Sequence, residues 1–102
     1  MARTPAVWLV TRHAGAREFA RRQGVRWHHE LPHAQVLPVA PGDKVYGTLP
    51  YWLAAQVCAV GAEFWCLEWT ASPQHRGVEL SADELEAAGA RFVRYEVRRV
   101  EA

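Results

Sequence analysis

Twice in this chain a short run suited to burial passes through a glycine-bearing bend into residues of helical period. Val7-Trp8-Leu9-Val10 is continuously apolar. It lacks the alternation of a half-wetted strand and suits a strand covered on both faces of a parallel sheet. Arg12, His13 and Gly15 break the run. Ala16, Phe19 and Ala20 then recur at helical spacing, with Arg17, Arg21 and Arg22 on another face, up to Gly24. The second unit is a strand from Lys44 to Leu49 with Gly47 near its end. It leads through Pro50 into Trp52, Leu53, Val57 and Val60 and stops at Gly61. Two strands that each feed a helix predict right-handed crossovers in a small Rossmann-like sheet.

The remaining segments fit around that frame. Val25 to Leu31 reads as a second strand with Trp27 and His29 on one side. The three prolines between Pro32 and Gly42 read as loop, closed by the turn residues Pro41-Gly42-Asp43. Phe64 to Leu67 is another buried strand. Ser81-Ala82-Asp83-Glu84 is a capping box that starts a short helix ending at Gly89. Arg91 to Val100 alternates charged and apolar residues, as an edge strand with one wet face does. The prediction is one α/β domain over residues 1–102, with a mostly parallel sheet of about five strands and about three helices.

Composition narrows the function classes. A chain of 102 residues with 50% hydrophobic and 23% charged residues can close a single globular core. A formal net charge of +1 excludes the polycationic surface of a generic DNA-coating protein and leaves room for a local anion site. Stable DNA binding is not expected, and neither is a membrane partner, because no apolar run reaches spanning length. Cys58 and Cys66 form no CxxC pair and no disulfide framework, so a reducing cytoplasm is the expected setting.

Ligands of open α/β sheets bind beyond the carboxyl ends of the strands, where helix N-termini converge. Two segments fall there: Thr11-Arg12-His13-Ala14-Gly15, and Gly47-Thr48-Leu49-Pro50. Both can turn free amides and a positive helix end toward an anion. Arg12 and Arg17 add forks suited to phosphate, and His13 can trade a proton near neutral pH. Gly15 and Gly47 allow close approach to the backbone. Each has a plainer reading: Arg12 and His13 as solvated loop residues, Thr48 as a helix cap. Arg76, in the polar loop Gln74-His75-Arg76-Gly77, suits a second phosphate contact or an ordinary surface position. Neither segment is a dinucleotide or Walker fingerprint. His28, His29 and His33 invite a metal reading, but Pro32 breaks helical ligand spacing, and no metal or other cofactor is expected. Trp52 and Trp69 suit a subunit interface or base stacking.

Three stretches carry a wider likeness: VTRHAGAREFARRQG at 10–24, PGDKVYGTLPYWLAAQVCAVGA at 41–62 and RGVELSADELEAAGA at 76–90. Through them the chain resembles the small CRISPR-associated accessory proteins of type III systems grouped with the ring nucleases. The resemblance implies a CARF-like fold, a two-fold dimer, and binding and cleavage of cyclic oligoadenylate, typically cyclic tetra-adenylate. It implies a motif on Thr11, Arg12, His13 and Gly15 and on Gly47, Thr48, Leu49 and Pro50. The expected chemistry is metal-independent attack of a 2′-hydroxyl on its own 3′-phosphate. Arg12 and amides near Thr48 would stabilise charge, His13 would act as acid or base, and Thr11 and Thr48 would orient the phosphate or ribose. A sponge that sequesters the messenger intact, or a module that regulates an effector by contact, are the alternatives. Tyr51, Trp52 and the last strand are the expected dimer surface.

Overall fold

The computed structural model describes residues 4–33, 37–70 and 79–101. In chain order these form β1 (Val7–Val10), α1 (Ala14–Arg22), β2 (His29–Leu31), β3 (Lys44–Gly47), α2 (Tyr51–Val60), β4 (Glu63–Glu68), α3 (Ala82–Ala87) and β5 (Arg91–Tyr95). The strands make one five-stranded sheet in the order β2-β1-β3-β4-β5, parallel except for the antiparallel edge strand β5. The expected architecture is present.

The two faces of the sheet serve two cores. On one face Trp8, Val10, Val45 and Phe64 pack with Leu53, Ala54 and Val57 of α2. On the other, Leu67 packs with Ala16 and Phe19 of α1 and with Leu80, Ala82 and Leu85 around α3. Fully burying side chains such as Phe19, Leu9 or Leu53 is worth roughly 1.5–3 kcal/mol each. Helices therefore cover both faces, and the strand order reverses between β1 and β3.

The one fully buried charged side chain among the described residues is Asp43. Its carboxylate accepts from Ala6 N at 2.9 Å, Ala40 N at 3.0 Å and Trp8 Nε1 at 3.2 Å. Its own carbonyl accepts from Glu63 N at 2.8 Å. A residue that the sequence marks only as part of a turn is thus a rivet joining the amino ends of β1, β3 and β4. On the far side, Arg22 of α1 reaches Asp83 at 2.7 Å and Glu86 at 3.1 Å and clasps α1 to α3.

Three strands are shorter than their sequence patterns. Val25 N donates to Ala20 O and closes α1, so pairing with β1 begins only where His28 N meets Val7 O at 2.8 Å. The second strand therefore starts at His29, not Val25. β3 ends at Gly47 because the chain turns there and sends Leu49 into the core. β5 ends at Tyr95, not Val100, because its antiparallel partner β4 begins at Glu63 and offers no ladder beyond it. No described helix is long and apolar enough to cross a membrane.

Asp43→Ala takes the acceptor from one buried and two part-buried donors and should cost about 3–5 kcal/mol, read as a fall in the urea unfolding midpoint with an unchanged slope. The exposed carboxyl of Glu18 sits below its ordinary value, chiefly through the hydrogen bond from Arg21, with Arg22 adding to it. A lowered carboxyl stabilises the fold above its unfolded value, and that contribution disappears as acid carries the pH down through the folded one. Arg21→Ala should therefore flatten part of the acid-side loss of thermal stability.

Candidate functional site

The two predicted corners meet. β1 and β3 are in register, Val10 opposite Gly47, so the residues after them emerge side by side at the carboxyl edge. They open onto a cavity of about 480 Å³ lined by Thr11, Arg12, His13, Gly47 and Thr48, with Pro32 and His33 beyond β2 and Trp69 beyond β4. Its floor is apolar, from Leu9, Leu67, Leu85 and Phe92. This is the point of strand-order reversal, where doubly wound sheets hold their ligands.

Local chemistry explains how each group is presented. The Thr11 amide donates to Leu31 O at 2.9 Å, and its Oγ1 accepts from His13 N at 3.1 Å. This small turn lifts Arg12 and His13 clear of the sheet. His13 is the N-cap residue of α1 without capping it by side chain, and its ring Nδ1 lies 3.1 Å from Glu79 Oε1. Pro50, not Thr48, occupies the N-cap of α2, so Thr48 is not a cap; it stays exposed at the cavity. Neither α1 nor α2 has an acidic residue in its first turn, whereas α3 carries Asp83 and Glu84 and a complete capping box. The first turns of α1 and α2 thus hold no acidic side chain of their own to offset the positive helix ends.

Other candidates are placed elsewhere. Arg17 is paired with Glu30 of β2 at 2.8 Å and is not at the cavity, because one helical turn carries it toward the sheet edge. Leu49 is a core residue, and Pro50 starts α2 by accepting from Leu53 N and Ala54 N at 3.0 Å. Gly15 and Gly47 do permit close approach, but the chain itself is the partner that approaches. A Cβ on Gly15 would lie 1.9 Å from Leu80 O, and one on Gly47 would lie 2.2 Å from Val10 O. Arg76 lies outside the described residues.

Electrostatics favour an anion. Arg12 is exposed and pairs with no described carboxylate, and the one acidic side chain among the described residues lining the cavity, Glu79, is engaged by His13. Cys66 adds no nucleophile, since burial, with Glu68 adding to it, pushes its thiol above the ordinary value. No group of three or more His, Cys, Asp or Glu that could hold a metal gathers among the described residues. Sequence reasoning missed Glu79. It stands outside both strand-end corners, and no local pattern flags it. His33, in sequence a candidate only for a metal, lines the same cavity.

Gly47→Ala combines a backbone clash with a positive φ of 141° and should cost about 2–4 kcal/mol. Gly89→Ala, also at positive φ but with open space around it, should cost only about 1–2 kcal/mol, and chemical denaturation of the pair separates the two effects.

No curated protein and no solved structure matches the chain. The family described as "Putative CRISPR-associated protein (Cas_VVA1548)" matches residues 8–98. That match runs from β1 past β5 and takes in both corners of the cavity, and the chain belongs to this family of CRISPR-associated proteins.

Proposed function

We propose that this protein is a ring nuclease that opens cyclic tetra-adenylate, and so switches off type III CRISPR signalling. The reading is carried by one observation: the Thr11–His13 and Gly47–Thr48 corners converge on a single cavity at the carboxyl edge of the sheet. About 480 Å³ falls within the range of small-ligand pockets, roughly 300–1,000 Å³, and is too little for a tetranucleotide ring. Two copies related by a two-fold axis would double the cavity to match the two-fold symmetry of the ligand. Helix α2, with no charged residue and with Tyr51 and Trp52 exposed on it, suits that contact.

In the proposed reaction the 2′-oxygen of one adenosine bonds to its own 3′-phosphorus and the bond from phosphorus to the 5′-oxygen breaks. The 2′-hydroxyl proton is taken up and a proton is delivered to the departing 5′-oxygen, so a 2′,3′-cyclic phosphate and a 5′-hydroxyl result without water being consumed. Holding the attacking and leaving oxygens in line supplies much of the acceleration. Arg12 at the cavity, with the α1 amides that no side chain caps, would stabilise the charge that grows on the phosphate. His13 moves the proton, Thr48 orients the ribose or phosphate, and Trp69 at the rim offers a stacking face for adenine. No metal is required by this scheme.

Cyclic tetra-adenylate incubated with the protein in EDTA should give linear products with cyclic phosphate ends, many equivalents per protein, by mass spectrometry. His13→Ala should slow this about 10²–10⁴-fold and Arg12→Ala at least about 10²-fold. Stoichiometric recovery of intact ring after denaturation would make the protein a sponge instead, and strict dependence on added metal would overturn the mechanism.

A further inference from the structure

We propose that Glu79 is the positioning residue of the site: its carboxylate holds the Nδ1–H of His13 and leaves Nε2 as the ring nitrogen that accepts a proton. The part played by Nε2 in ring opening rests on the proposed nuclease function; the tautomer itself does not.

The pair joins residues 66 apart in sequence, and both of its backbones are pinned. On one side, His13 N donates to Thr11 Oγ1 and His13 O accepts from Arg17 N at 3.1 Å, which fixes the residue at the start of α1. On the other, the residues directly after Glu79 are held in three ways. Leu80 is buried in the core between α1 and α3. Ser81 is locked by the capping box, with Ser81 N to Glu84 Oε1 at 3.0 Å and Glu84 N to Ser81 Oγ at 3.1 Å. The carbonyl of Leu80 presses onto Gly15 so closely that a Cβ there would stand 1.9 Å away. Gly15 therefore lets the segment before α3 lie flat on the first turn of α1 and deliver Glu79 to the neighbouring His13. The glycine that the sequence offers to a ligand instead seats the carboxylate.

The chemistry comes from the donor inventory. An ionised carboxylate only accepts hydrogen bonds, so the ring nitrogen facing it carries the proton. In neutral imidazole the other nitrogen then has the free lone pair. Nε2 can take the 2′-hydroxyl proton, and the imidazolium so formed lies beside the negative charge of Glu79. His13 is thereby assigned as the base. Both side chains are about half exposed, 50% and 59%, so the contact adds little to stability and its loss leaves the fold in place.

The test reads the tautomer by ¹⁵N NMR of the His13 ring in the free protein, and cleavage of cyclic tetra-adenylate in parallel. Wild type should show a protonated Nδ1 and a lone-pair Nε2. Glu79→Gln should lose that preference and lower kcat roughly 10- to 100-fold at nearly constant KM, with Glu79→Asp recovering part of both. A wild-type ring protonated at Nε2, a tautomer indifferent to Glu79→Gln, or an altered tautomer with unchanged kcat overturns the proposal. If wild type opens no ring at all, the reading of function fails, while the NMR comparison still decides whether Glu79 sets the tautomer.

Discussion

A buried carboxylate is tolerable only if its hydrogen-bonding capacity is met, and Asp43 turns its own toward donors at the amino ends of the sheet. Ala6, Ala40 and Trp8 all donate to it, and through Glu63 the same residue reaches β4. These bonds hold β1, β3 and β4 level at one edge. Because the strands are parallel and of similar length, they are then level at the opposite edge too. There the Thr11 and Thr48 corners emerge together. The rivet and the cavity lie at opposite ends of the same strands, so the residues that tie the strands together are not those that line the cavity.

Helix ends show the same division. α3 closes its amino end with a reciprocal cap and two acidic residues. α1, whose N-cap His13 lines the cavity, and α2 have neither a side-chain cap nor an acidic first turn. Capping each would stabilise the fold by about 1 kcal/mol. Bare helix ends keep amides and positive potential of the kind that suits an anion. The capping that α1 and α2 lack is present at α3, where it also fixes the segment that carries Glu79.

Much of this is legible in the residues. The apolar runs at Val7–Val10 and Phe64–Leu67, the capping box at Ser81–Glu84 and the glycines closing the helices are patterns of period and punctuation, and each produced its element. The corners at Thr11–His13 and Gly47–Thr48 can be placed because, in a parallel sheet, the residues just past a strand lie at the ligand edge. Strand ends are less legible. Val25, Thr48 and Val97 have strand-like neighbours, but whether a ladder continues depends on where the partner strand stops.

Local chemistry, then, is all that the amino-acid order determined by itself: which stretches are strands and helices, which residues stand at their ends, and that Arg12 and His13 precede a helix. Tertiary structure alone decided which charges are spent and which remain. Arg17 is neutralised by Glu30, Arg12 meets no described carboxylate, Asp43 is sealed inside, and Glu79 reaches His13 across 66 residues. The physical reason is range. Period and capping act within a few residues of chain, whereas charge pairing and burial depend on distances in space that exist only once the sheet has set its order and register.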